Sequence, residues 1–164
     1  MGIKRYIEDG QVYFLTSVTK DRNPIFQDGK YANLLLAIIE YLKYYLDYRI
    51  YGYVIMPDHF HILIYAFGKY SISKIMNLIK GNFARKYNQI INNVGRTVWQ
   101  RSYYDEVIRN SLDFFNKLNY MHNNPVKAGL VDDPKDYPFS SWHQYYGETR
   151  KLIQLGISKT NLVI

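Results

Sequence analysis

The chain has four histidines, and two of them, His59 and His61, stand two residues apart in the run Tyr53-Val54-Ile55-Met56-Pro57-Asp58-His59-Phe60-His61-Ile62-Leu63-Ile64. In a strand, residues two apart share a face. The two imidazoles then project together while Phe60 turns to the buried side. Neutral imidazole is a good ligand for Mn, Zn and similar divalent ions, so the pair is half of a metal site. Two histidines on an exposed strand face satisfy the same spacing, and only a third ligand would separate the readings.

A second chemical group falls on a helix. At 3.6 residues per turn, residues 111–124 gather Phe114, Phe115, Leu118, Met121 and His122 into one apolar stripe. Asp113, Asn116, Lys117, Tyr120 and Asn124 turn to the other side, with Asn124 one turn beyond Tyr120. Such a face could handle a phosphate: a phenolate attacks, lysine neutralises a nonbridging oxygen, and an amide oxygen could ligate a metal. In a chain with 18 tyrosines, an exposed tyrosine on an ordinary amphipathic helix fits equally well. His122 belongs to the apolar stripe and is assigned to packing.

The elements that must hold these groups alternate along the chain. Val12–Val18 reads as a buried strand closed by Asp21-Arg22-Asn23-Pro24. Apolar residues at helical spacing predict a helix over 31–47. Strands over 49–56 and 59–66 follow, joined at Pro57-Asp58. A second amphipathic helix spans 71–88 with Ser71 as N-cap, and a loop over 92–97 leads to a strand over 103–108. The third helix starts at Asn110 or Ser111 and ends before Pro125. This order is that of an α+β, ferredoxin-like (RRM-like) antiparallel sheet with helices packed on it, in a single domain over 1–164. The pattern does not define a structure for the tail from about residue 143.

Charge points to the partner. The formal net charge is +7. Residues 69–127 hold ten Lys and Arg against three acids, and the remainder is balanced. A concentrated positive stretch suits a polyanion, and a solvated basic face is the plainer alternative. Lys74, Lys80, Arg85 and Lys86, outside the apolar stripe of the second helix, are the first candidates for nucleic-acid contact. Arg96, Arg101, Arg109 and Lys117 follow. The absence of cysteine excludes disulfides, zinc-thiolate sites and thiol catalysis. The longest apolar run, residues 34–39, is far too short to span a bilayer. The N-terminus shows no signal-peptide pattern, and Tyr6 stands where a myristoylation motif after Gly2 would want a hydroxyl residue. The expectation is a cytoplasmic protein with no membrane association.

These residues resemble a known family, the single-tyrosine HUH transposases. Pro57-Asp58-His59-Phe60-His61 is similar to their histidine–hydrophobe–histidine motif, and Tyr120-Met121-His122-Asn123-Asn124-Pro125-Val126-Lys127-Ala128-Gly129-Leu130-Val131 to the segment with their nucleophile. More narrowly, Trp99-Gln100-Arg101, Asp105-Glu106-Val107-Ile108-Arg109-Asn110 and Pro138-Phe139-Ser140-Ser141-Trp142 resemble the REP-associated tyrosine transposases. The blocks stand in the family's order and, with the first strand, span most of the chain.

The resemblance implies metal-dependent cleavage and strand transfer on single-stranded hairpin DNA, at REP-like or insertion-sequence ends. In the family, two histidines and a side-chain oxygen hold Mg or Mn against the scissile phosphate. A tyrosine attacks, leaving a 5′-phosphotyrosine and a free 3′-hydroxyl. Carried over by position, His59, His61 and Asn124 are the metal ligands and Tyr120 is the nucleophile. No nucleotide cofactor is implied, because the phosphotyrosine bond stores the energy for rejoining. A monomer is favoured over a homodimer. Two positions depart from the pattern: Asp58 stands where relatives often have asparagine, and Glu106 where many have histidine. The competing functions are a non-catalytic module binding structured DNA or RNA, and a relaxase-like nickase.

Overall fold

The computed structural model describes residues 11–146. The ends of the expected 1–164 domain, Gly2, Tyr6 and the tail beyond 146 lie outside the described residues. The elements are β1 (Val12–Val18), α1 (Gly29–Leu46), β2 (Tyr48–Met56), β3 (His59–Ala66), α2 (Ile72–Ile90), β4 (Tyr104–Val107), α3 (Ser111–Lys127) and α4 (Trp142–Tyr146). The four strands make one antiparallel sheet in the order β2-β3-β1-β4, the α+β architecture expected from the pattern.

Alternation sorts the strand side chains onto two faces. Tyr13 and Leu15 of β1 and Phe60, Ile62 and Ile64 of β3 enter one core with α1 and α2, around Leu35, Ile39, Ile75, Ile79 and Phe83. Val12 and Phe14 of β1 and Leu63 of β3 face the other way. They pack with Phe114, Leu118 and Met121 of α3. The helices therefore lie on opposite sides of the sheet, two against one.

A β-bulge brings α3 close. The β2–β3 register slips between Ile50 and Gly52, leaving Tyr51 as the extra residue. Tyr51 consequently joins Val54 and Met56 on the α3 side. A Cβ at Gly52 would lie 2.8 Å from Leu118 Cδ1 and 2.9 Å from Met121 Cε. The missing side chain at Gly52 lets the Leu118 and Met121 tips lie against the strand backbone.

Side-chain caps start the helices as the sequence implies. Ser71 accepts from the Lys74 amide at 3.2 Å, and Asn110 from the Asp113 amide at 2.9 Å. Two expectations for α3 are corrected. The helix does not end before Pro125 but runs through it to Lys127. Pro125 is buried there, and bonds from the Ala128, Gly129 and Leu130 amides to Asn124, Val126 and Pro125 close the last turn. Gly129, at φ 68°, supplies the left-handed residue that ends it. Phe115 is exposed rather than part of the packed stripe, its ring lying edge-on against the outer side of buried Phe114 at 5.5 Å.

The segment after α3 has a definite role. Residues 137–141 run along the free edge of β2: the Ile55 amide donates to the Phe139 carbonyl at 2.8 Å and the Ser141 amide to the Tyr53 carbonyl at 2.9 Å. The edge is thereby covered. Buried His122 ties α3 to the same segment, its Nε2 lying 2.9 Å from Ser141 Oγ, as its assignment to packing requires.

Candidate active site

The α3 side of the sheet is only half packed. Beyond Phe14 it opens into a cleft of 470 Å³ lined by Phe14, Thr16, Val18, His59, His61 and Tyr104 from the strands, Arg22 from a turn, and Lys117, Tyr120 and Asn124 from α3. His59, His61, Tyr120, Asn124 and Lys117 are thus brought together. The His59 and His61 rings are 4.8 Å apart between centroids, and His61 and Tyr120 are 5.5 Å apart. Tyr120 is 43% exposed and lines the cleft.

Each imidazole is held through Nδ1. Thr16, the cross-strand partner of His61, places its hydroxyl 2.7 Å from His61 Nδ1. Asp58 Oδ1 lies 2.6 Å from His59 Nδ1. A carboxylate can only accept, so His59 carries its proton on Nδ1 and has its free pair on Nε2. Burial, helped by the Lys117 charge and by His59 whenever that ring is protonated, pushes His61 down to about 3, so the His61 ring is neutral and ligand-competent at pH 7. Phe14 stacks on it at 5.2 Å.

Two buried polar atoms in the cleft have no hydrogen-bond partner: His61 Nε2 and Asn124 Nδ2. The unpartnered His61 Nε2 calls for an ion or water, whereas Asn124 Nδ2 is a donor that only an acceptor such as water or a phosphate oxygen would satisfy. No group of three or more His, Cys, Asp and Glu that could hold a metal occurs among the described residues. A cation here would rest on two imidazoles and an amide oxygen, a mixed donor set that admits Mg, Mn and other divalent ions.

Cations line the rim. Lys117 Nζ sits 5.0 Å over the Phe14 ring and 2.7 Å from Glu106 Oε2. Its hydrogen bond holds the Glu106 carboxyl below the usual range despite some burial. Glu106 also accepts from the Tyr104 hydroxyl at 2.9 Å, which raises the Tyr104 phenol. Lys127 Nζ lies 5.3 Å from the Tyr120 ring, a neighbour that exists because α3 continues past Pro125.

The remaining basic candidates are dispersed. Lys74, Lys80, Arg85 and Lys86 ride on α2, on the far side of the sheet from the cleft. Lys80 donates to the Gln100 carbonyl at 3.3 Å, and Arg85 to Asn82 Oδ1 at 2.9 Å. Arg96 and Arg101 flank the Thr19–Trp99 bridge, at the end of β1 nearest His59. Arg109 follows β4, its amide bound to Asp113 at 3.3 Å. Thr16, Arg22 and Lys127 escaped the sequence reading. Thr16 carried a signal, a hydroxyl at a position of β1 that alternation places opposite the core face.

The sheet thus presents a histidine pair to a helical tyrosine across one cleft. The chain matches the family model described as "Transposase IS200 like" over residues 3–124 and belongs to that family; it is a transposase. It is 29% identical over 142 residues to the REP-associated tyrosine transposase of Escherichia coli strain K12, across 86% of this chain and 82% of the relative. It is 28% identical over 152 residues to a Haemophilus influenzae protein that carries the same designation provisionally, across 86% of this chain and 85% of the relative. The solved structure of a REP-associated tyrosine transposase bound to a REP hairpin shares the fold, with a TM-score of 0.75 and 24% identity over 96% of this chain and 88% of that one. No helix among the described residues is long and apolar enough to cross a membrane.

Proposed function

We propose that this transposase cleaves and rejoins single-stranded hairpin DNA with Tyr120 as nucleophile and with His59, His61 and Asn124 as ligands of Mg or Mn. It acts as one catalytic domain, in the cytoplasm, as a monomer. The observation that carries the reading is the meeting in one cleft of the histidine pair, the exposed Tyr120 and the amide of Asn124, with an unpartnered His61 Nε2 between them. The hairpin substrate follows the structural relative described as bound to a REP hairpin.

The chain's own residues have separable tasks. The Tyr120 phenol loses its proton and its oxygen attacks the scissile phosphorus. The bond from phosphorus to the 3′ oxygen breaks, the departing oxygen takes up a proton, and the phosphate stays on Tyr120 as a 5′-phosphodiester. A 3′-hydroxyl attacking that phosphotyrosine reverses the step and seals the strand, with no external energy source. Lys117 neutralises a nonbridging oxygen after exchanging Glu106 for phosphate. Bound to His59, His61 and Asn124, the divalent ion supplies Lewis acidity and a template for the phosphate. Thr16 and Asp58 keep the two imidazoles in register for it.

Tyr104 also lines the cleft and is more exposed, at 57%. Its hydroxyl is committed to Glu106, which holds the proton on the phenol. No carboxylate is hydrogen-bonded to Tyr120 in the described structure. Arg96 and Arg101 extend the DNA track from the cleft, and Lys74, Lys80, Arg85, Lys86 and Arg109 give more distant phosphate contacts. Each neutralised phosphate releases counterions, so affinity falls with salt. Substituting the α2 cations flattens that dependence.

The test is incubation of a labelled hairpin pool with protein and Mg or Mn, resolved on a denaturing gel beside Tyr120→Phe. A metal-dependent covalent adduct absent from the variant is expected. Tight binding with no adduct in any metal would favour a binding module instead.

A further inference from the structure

Between β1 and α1 the chain makes a short turn that reaches across the sheet end to the β2–β3 turn. Asp21 and Arg22 are both left-handed, at φ 54° and 52°. Consecutive non-glycine residues in that region are disfavoured and persist only where the surroundings fix them. Here the Thr19 amide and hydroxyl each reach the Asp58 carbonyl at 2.9 Å, and the Arg22 amide closes back on the Thr19 carbonyl at 3.1 Å. The result is that the Arg22 guanidinium meets Asp58 Oδ2 at 2.9 Å. The other oxygen of the same carboxylate holds His59 Nδ1.

Stability does not account for this arrangement. The Arg22 side chain is 65% exposed, and an exposed ion pair contributes little to folding. A lone carboxylate at the rim could rotate away from the imidazole. With one oxygen fixed by Arg22, the other stays on His59.

We propose that Arg22 and Asp58 are positioning residues: the guanidinium anchors the carboxylate, and the carboxylate locks His59 in the tautomer that presents Nε2 to a divalent ion. This rests on His59 being a metal ligand. It accounts for the departure at position 58, where a carboxylate can accept from His59 and Arg22 at once. An asparagine there has one oxygen and cannot do both equally well.

The test uses the full chain without metal, labelled with ¹⁵N at histidine. Long-range ¹H–¹⁵N correlation of the His59 ring is expected to show the Nδ1–H tautomer. Asp58→Ala should give a mixed or inverted tautomer and lower Mn(II) affinity, read by the Mn(II) electron paramagnetic resonance signal, by about 10-fold. Arg22→Gln should shift both readouts the same way by a smaller amount. Asp58→Asn should largely restore the tautomer while recovering only part of the affinity. Amide fingerprints identify which variants fold, and Arg22→Gln keeps the test open if Asp58→Ala does not. Unchanged tautomer and Mn(II) affinity in the folded variants would overturn the proposal. So would an Arg22→Gln protein that loses hairpin affinity alone, since Arg22 would then be a direct phosphate contact. Failure of the underlying metal reading looks different: wild-type protein binds no Mn(II), whatever the variants do.

Discussion

The two faces of one sheet have been put to opposite uses. Toward α1 and α2, β1 and β3 present Tyr13, Leu15, Phe60, Ile62 and Ile64, and the layer closes on Phe83, Phe26 and Trp99 with ring centroids 5.2–5.8 Å apart. Toward α3, the same strands present Phe14 and Leu63 at one end and Thr16, His59 and His61 at the other. Close packing at the Gly52 bulge fixes α3, and the other half of the interface is left open around polar groups. A ligand site made this way needs no mobile loop: the rigidity of one half sets the geometry of the other.

Substitutions on the two faces should therefore separate stability from chemistry. His61→Ala is expected to abolish covalent adduct formation while the urea midpoint stays close to wild type, because it removes a desolvated imidazole rather than packed hydrocarbon. A large loss of stability would show that the cleft also carries the fold. Phe83→Ala on the opposite face should cost about 3–5 kcal/mol of unfolding free energy. The protein still folded should retain the adduct reaction.

His122 offers a pH test of the packed half. Burial pushes its imidazole down to about 4 from an ordinary 6.5. Protonation therefore favours the unfolded chain. The contribution is complete above pH 6.5 and is lost as pH falls through the window to about 4, at about 1.4 kcal/mol per unit. Urea unfolding of metal-free wild type and His122→Gln across that window should converge toward acid, and parallel curves would remove His122 from the account. Gly52→Ala is the mildest probe. Its Cβ would press on Leu118 and Met121, costing about 1–3 kcal/mol and moving α3. Adduct yield should fall more than the stability loss explains, and an unchanged yield would mean that the bulge does not set the cleft.

The two faces were legible from short periodicities, while their meeting in one site was implied only by the family resemblance. Period two puts His59 and His61 on one strand face, and period 3.6 puts Tyr120 and Asn124 on one helix face. Thr16 and Arg22 were not legible, for physical reasons. Thr16 meets His61 through a register joining residues 45 apart, and Arg22 reaches Asp58 only through a left-handed turn. Charge counting located a basic stretch but not its faces, so the α2 cations and Lys117 were grouped together although the sheet separates them. Pro125 signals a helix end in isolation, yet its burial and the bonds beyond it carry the helix one turn further, to Lys127.

The most direct test of the account is to locate the phosphotyrosine among the 18 tyrosines. Protein trapped on a hairpin oligonucleotide with Mg or Mn, digested with nuclease and trypsin, would be mapped by mass spectrometry. The expected result is one nucleotide-bearing tyrosine, Tyr120, with a free 3′-hydroxyl on the released strand. Modification of Tyr104, or cleavage that leaves a free 5′-phosphate and no protein adduct, would contradict it.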